Sequence, residues 1–254
     1  MLHGIAKSLM LKNRFVIVDG LDGSGKGTIV DALQKWAELK GMKILDLRSY
    51  CREKNTFPEP DEIAQHDAIV SAEPTFCYVG KAIREELIRA TERQYPAMSI
   101  AQAFALDREI LYKRVLIPAI KAGKYVFQER GISSSLVYQP VQEHIQLSEL
   151  LRLAGNKTAM QFAPGLFIIA TVKPETVINR LGTRQKKDHS IFDNLSFQRN
   201  IDSRFRSDWL KQLFEQHGSQ VVYVSTDEPK TVDDTQSEAV KVFENFLAAH
   251  SSHS

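Results

Sequence analysis

The chain has 254 residues, 43% of them apolar, and a formal charge of +2, which is enough for a full core and reads as one domain over 1–254. So small a charge excludes a broad basic face for nucleic acid or an anionic membrane, leaving any anion site local, and no apolar run approaches the roughly 20 residues that span a bilayer. Two cysteines, Cys51 and Cys77, make no disulfide framework and predict free thiols in a reducing, cytoplasmic setting.

Residues 1–13 read as a frayed lead-in without the apolar segment of a secretion signal. Phe15 to Asp19 is a β-branched run ending at Gly20, from which the spacing is GxxxxGK up to Lys26. That order predicts strand, phosphate loop, helix. Gly20, Gly23 and Gly25 let backbone N–H groups turn inward around an anion, Lys26 adds a mobile ammonium, and a helix over 27–40 points its positive end at the same spot. A GxxxxGK also arises by chance in unrelated loops, but this one has a strand pattern before it and a helix pattern after it. Gly27 stands where Ser or Thr usually reaches Mg²⁺, so either Thr28 takes over that contact or carboxylates and water hold the metal.

Further along, 43–47 predicts a second strand and 49–66, with Pro58, Pro60 and no clear period, an inserted excursion. A strand over 68–72 delivers Glu73 to the edge where ligands of open parallel sheets bind. Residues 80–93 have helical spacing, with Arg84 as a surface cation. A longer helix runs from a Ser99 cap to Lys121, with Ile100, Phe104, Leu111 and Val115 along one face. Arg108 lies on that face too, so it must be paired, snorkelled or aimed at a ligand. Phe104 and Arg108 together would make a slot for a planar hydrogen-bonding base; the plainer reading pairs Arg108 with an acidic neighbour.

A strand over 125–128 leads to Glu129 and Arg130, and 133–139 starts a hydroxyl-rich helix whose three serines exceed what capping needs. Residues 144–162 look helical with a break near Gly155, 166–172 is an apolar strand, and Pro174 opens a helix. The basic segment after it, about 180–195, is either a solvated face or a mobile lid over transferring phosphoryl groups. A helix over 196–216, a strand over 221–224, a helix over 237–249 and a disordered tail from His250 close the chain. Strands alternating with helices predict an α/β, three-layer P-loop fold, a mostly parallel sheet with helices on both faces.

Several segments in order resemble the thymidylate kinase family of P-loop nucleoside monophosphate kinases: FVIVDGLDGSGKGT at 15–28, EPT at 73–75, AFALDR at 103–108, IPAIKAGKYVFQER at 117–130 with SSSLVYQ after it, and RLGTR at 180–184. The resemblance implies ATP-dependent phosphorylation of a deoxynucleoside monophosphate, dTMP to dTDP, with Mg²⁺. It would place the ATP phosphates on Gly20, Gly23, Ser24, Gly25, Lys26, Gly27 and Thr28, and Mg²⁺ near Asp22, Thr28 and Glu129. Phe104 would stack on thymine and Arg108 would bind its edge, with Glu73, Ser134, Ser135 and Gln139 beside the acceptor and Asp22 toward its sugar. Tyr138 would crowd the sugar 2′ position, Arg130 would bind the acceptor phosphate, and Arg180 and Arg184 would be lid cations.

Three departures stand against the family pattern: Glu129 for Asp, Ala72 for the arginine that often precedes the EP pair, and Gly23 where some members carry a loop arginine. Family members are commonly homodimers, which makes the helix over 99–121 the candidate interface. Two alternatives remain open: a deoxynucleoside kinase with Glu73 as base on a sugar hydroxyl, and a nucleotide-binding module without catalysis.

Overall fold

The computed structural model describes residues 14–89, 91–142, 144–182 and 195–251. Strand β1 (Phe15–Gly20) leads through the glycine loop into α1 (Lys26–Leu39), and β2 (Ile44–Asp46) is followed at once by α2 (Leu47–Lys54) and α3 (Pro60–Ala64). After β3 (Ala68–Ala72), α4 (Tyr78–Ala82) continues as a π-helical turn, Ile83–Leu87. The helix α5 (Ala97–Leu111) runs through a second π turn, Tyr112–Leu116, into α6 (Ile117–Lys121). Then come β4 (Tyr125–Glu129), α7 (Ile132–Gln142), α8 (Leu147–Arg152), α9 (Ala154–Gln161), β5 (Leu166–Thr171) and α10 (Pro174–Gly182). The remaining described elements are α11 (Leu195–Phe205), α12 (Asp208–Gln216), β6 (Gln220–Ser225) and α13 (Val232–Ser251).

The strands form one sheet in the order β2-β3-β4-β1-β5-β6, and every pairing is parallel. Alternation along each strand sorts side chains to two cores. Phe15, Ile17, Ile69, Val126, Phe167 and Ile169 face one, whereas Val16, Val18, Val70, Phe127, Leu166 and Ile168 pack under α1 and α13 with Trp36 and Phe243. The chain leaves β1 for the far edge, steps back through β3 and β4, and crosses β1 to reach β5. Such a reversal opens a crevice beyond the carboxyl ends of the central strands. Register fixes what lines it, because Val18 and Ala72 both pair with Glu129, bringing Asp19, Glu73 and Arg130 to one edge.

Several boundaries differ from the sequence expectation for local reasons. The excursion at 49–66 is ordered into α2 and α3, whose short, charge-rich turns show no period. Asp46 ends β2 and caps α2 by accepting from Arg48 N at 2.8 Å, while Glu59 and Glu62 form a capping box on α3. The helix expected over 196–216 is two, α11 and α12, because Ser207 is extended and stands at the start of the second. The break expected near Gly155 falls at Leu153, the extended residue between α8 and α9. The lead-in at 1–13, the end of the tail and the lid from 183 to 194 lie outside the described residues.

Gly155 has a different task from breaking a helix. A Cβ there would sit 1.8 Å from Ala105 O and 2.8 Å from Ala105 C, so α9 crosses α5 with the backbones nearly touching, and only glycine permits it. Gly155→Ala is therefore expected to force the two helices apart and cost about 1–3 kcal/mol or more, read as a lowered urea midpoint; an unchanged midpoint would show that the crossing is loose.

Candidate active site

The loop after β1 is shaped by its glycines. Gly20, Gly23 and Gly25 take φ of 146°, 78° and 80°, conformations that cost glycine little and other residues much. Ser24 N donates to Leu21 O at 3.0 Å to close the turn. Lys26, buried at the first position of α1, directs Nζ back over the loop, donating to Leu21 O at 2.6 Å and Gly20 O at 3.2 Å. Arg180 closes the other side of the loop, with Nη1 donating to Gly23 O at 3.2 Å and Nη2 to Thr226 O at 2.7 Å. It thus sits against the phosphate loop on α10, not on a free lid, and Arg184 lies outside the described residues.

Beside this loop the end of β4 presents Arg130 in a left-handed conformation, φ 63°, its N–H bonded to Val18 O at 2.8 Å. Its guanidinium is bonded to Asp22, donates to Ser134 Oγ at 3.2 Å and stands 3.9 Å from Asp19. Asp19 is fully buried on β1 and accepts from Gly20 N at 2.8 Å, Ser133 Oγ at 2.6 Å and Ser134 Oγ at 2.9 Å. Asp22 also lies 3.9 Å from Lys26 Nζ, so one carboxylate reaches toward both cations. Glu129 Oε2 would be 3.6 Å from a Cβ on Gly27, which sets its carboxylate over the first turn of α1, beside Thr28.

Beyond β3, Arg108 is buried at 1% exposure among partners. Its Nε and Nη2 both lie 2.7 Å from Glu73 Oε2, Nη2 donates to Ser135 Oγ at 3.1 Å, and Nη1 bonds Asn156 Oδ1. The plainer reading of this arginine is therefore met: an acidic neighbour pairs it. Glu73 Oε1 accepts from Gln128 Nε2 at 2.9 Å. Burial pushes the Glu73 carboxyl up to about 7 even with Arg108 and Gln128 pulling it down. Asp107, also raised by burial, pins the EPT loop by accepting from Thr75 N at 2.8 Å and Thr75 Oγ1 at 2.6 Å.

Of the other predicted acceptor residues, Phe104 is half-buried one turn before Arg108 on α5. Tyr138 packs against Phe197 and Phe205 with the Arg130 guanidinium 6.0 Å from its ring centre, and burial pushes its hydroxyl up to about 12. Gln139 is buried on α7, its Oε1 without a hydrogen-bond partner among the described residues. Ser134 serves Asp19 and Ser135 serves Arg108, so both reach the site through a charged neighbour. These side chains fall into two groups, a cationic one around Lys26, Arg130 and Asp22 and a buried one around Arg108 and Glu73, joined by Gln128.

Comparison with known proteins identifies the family. A thymidylate kinase family model matches residues 61–235, well over half of the chain. The chain belongs to the thymidylate kinase family. A thymidylate kinase of Caldicellulosiruptor saccharolyticus is 27% identical over 237 residues, covering 93% of this chain and 98% of its own. A probable thymidylate kinase of Pyrococcus abyssi is 29% identical over 206 residues, 79% of this chain and 83% of its own. The crystal structure of thymidylate kinase from Ehrlichia chaffeensis superposes with a TM-score of 0.60 at 18% identity, covering 91% of this chain and 98% of that one, a likeness of fold.

Four residues of this thymidylate kinase family site were not singled out from the sequence. Asp19 and Gln128 left a signal, a polar side chain inside an otherwise apolar strand, which must find partners. Asp107 was passed over beside Arg108, and Asn156 had no signal, since its partner is 48 residues away. Glu73 supplies a test. Its ordinary value is 4.5 and its value in the fold about 7, so the folded chain binds that proton more tightly than the unfolded one, and stability falls as pH rises through the window. Glu73→Gln is expected to flatten that decline in urea melts taken from pH about 4.5 to about 7; an identical slope in both proteins would show Glu73 ionised throughout.

Proposed function

We propose that this thymidylate kinase family member transfers the γ-phosphoryl group of ATP to dTMP, giving ADP and dTDP. The observation that carries the reading is the meeting of two cation sites at one sheet edge, Lys26 after β1 and Arg130 after the adjacent β4, with Asp22 reaching toward both. Phosphoryl transfer asks the protein for position and charge neutralisation more than for covalent chemistry. In this reading Lys26 and the loop N–H groups grip the donor phosphates, and Arg130 exchanges Asp22 for the acceptor phosphate. Arg180 braces the loop, and Arg184 adds a lid cation. Phe104 and Gln139 take the thymine, Arg108 and Ser135, engaged with Glu73 and with each other, brace that side from behind, and Tyr138, held rigid by its aromatic neighbours, limits space at the sugar.

The residues present fit Mg²⁺, which takes oxygen donors, keeps its waters and leans on substrate phosphates instead of a closed protein cage. Among the described residues no group of three or more His, Cys, Asp or Glu forms such a cage, while Glu129, Asp22 and the Thr28 hydroxyl offer single oxygens beside the loop. When bound, the ion neutralises charge developing between donor and acceptor phosphates. The nucleoside kinase alternative would need Glu73 as base, but both its oxygens are taken by Arg108 and Gln128. The same reading includes a cytoplasmic homodimer without nucleic-acid or membrane partners. The exposed Leu106 on α5 marks the face for the second copy; sedimentation near the 28.8 kDa of one chain would overturn the dimer.

ATP-dependent ADP release with dTMP, dUMP and thymidine as acceptors tests the reaction. We expect turnover with dTMP and none with thymidine, and Lys26→Met should lower kcat by about 10²-fold or more while dTMP binding is kept. Transfer to thymidine alone would make the chain a nucleoside kinase, and ATP binding with no acceptor-dependent ADP release would make it a binding module.

A further inference from the structure

The excursion at 49–66 has no part in the chemistry above, yet it is fastened to the site. Cys51 on α2 lies in contact with Cys77, their sulfurs 3.1 Å apart and both buried. Phe57 is buried and packs edge-on against the Tyr78 ring at 5.7 Å. Arg48 joins α2 to α1 through Asp31 at 3.0 Å, and Tyr50 OH donates to Glu62 of α3 at 2.9 Å. Arg52, next to the anchored Cys51, therefore projects from a rigid base.

Its guanidinium lies over Phe76, Cζ 3.7 Å from the ring centre, and the same ring carries Arg84 at 3.8 Å. Arg84 is spent on the chain itself, with Nε donating to Pro74 O at 2.9 Å and Thr75 O at 3.1 Å. Arg52 is exposed and makes no hydrogen bond or ion pair among the described residues. The ring attracts each cation, but the two cations repel, and neither has a carboxylate bonded to it. A guanidinium so placed keeps its donors for an anion, and its planar fork suits a phosphate.

The position says which phosphate. Phe76 follows Glu73 by three residues on the loop leaving β3. Glu129, the first counter-charge acting on Arg84, stands at the end of the neighbouring β4 with its carboxylate turned to Gly27 of the phosphate loop. Strand order sets the Phe76 stack on the β3 side of Glu129 and Arg130 on the β1 side. Ala72, at the end of β3, brings no cation of its own there. We infer that Arg52, supplied by the excursion, binds the 5′-phosphate of the acceptor nucleotide from the side opposite Arg130, which makes the excursion part of the acceptor site. The inference rests on the dTMP kinase reading and deepens it.

The test compares wild type, Arg52→Ala, Arg52→Lys and, as a control for net charge on the same helix, Lys54→Ala. Calorimetry with dTMP and with thymidine in the absence of ATP is paired with steady-state kinetics. Arg52→Ala should weaken dTMP binding and raise its KM by about tenfold or more, leave thymidine binding and the KM for ATP within about twofold, and be partly rescued by lysine; Lys54→Ala should resemble wild type. Equal dTMP affinity in wild type and Arg52→Ala overturns the inference while wild-type turnover leaves the kinase reading standing. Equal losses for dTMP and thymidine also overturn it, because they assign Arg52 to packing. Wild type that binds dTMP with an Arg52-dependent affinity but releases no ADP supports this contact and overturns the kinase reading instead, and wild type that binds no dTMP overturns both.

Discussion

The β3 end of the candidate site depends on one buried carboxyl–guanidinium pair that water does not reach. Arg108 and Glu73 are exposed by 1% and 3%, and a charge at such depth is tolerated only when paired and hydrogen-bonded. Removing either partner from a buried pair typically costs about 3–5 kcal/mol, whereas apolar residues of equal volume often stabilise as well or better. What the pair contributes is therefore position more than net stability. Through Ser135 and Asn156 the same guanidinium ties α7 and α9 to the end of β3. Four segments distant in sequence thus share one set of directional bonds.

One amide connects that group with the one around Arg130. Gln128 Nε2 donates to Glu73 Oε1 and to Arg130 O, each at 2.9 Å, and its Oε1 accepts from Ser71 Oγ at 3.0 Å. Both N–H bonds of the amide are used, so the group around Arg108 and the backbone that presents Arg130 cannot shift independently. Asp19 does the equivalent on β1, collecting one backbone N–H and two serine hydroxyls while facing the Arg130 guanidinium. Polar networks in low dielectric are favourable when every member is satisfied and costly otherwise. The strand ends here are accordingly polar, though the strands themselves are apolar.

The parts legible in the sequence were those whose cause is local. Glycine spacing, the β-branched run before it and the helical period after it predicted the loop at 20–26, because backbone conformation and one amphipathic face decide it. The six strands followed from apolar runs, and the polar residues just past them marked the site edge. What could not be read depended on partners far away along the chain. Gly155 looks like a helix breaker until Ala105 is known to lie under it. Arg108 looks equally like a ligand and a paired cation until Glu73 arrives beside it. The helices α2 and α3 were hidden because each is short, half charged and held by caps and by Cys77, not by a period of its own.

Two departures from the common pattern meet in the structure. Gly27 lacks the hydroxyl common at its position and Glu129 is longer than the aspartate common at its own. The two face each other, with the carboxylate 3.6 Å from where a side chain at 27 would begin. A side chain at 27 would meet that carboxylate at ordinary contact distance, and an aspartate at 129 would stop short of it, so the longer acid on β4 reaches the first turn of α1. The same carboxylate is the leading counter-charge on Arg84, a guanidinium that burial holds down to about 10. Glu129 thus stands between the glycine loop and the arginine stack over Phe76, and a change in its length alters both distances at once. Charge, side-chain length and strand register are coupled at this single position, which is why a methylene there cannot be read as a conservative change in isolation.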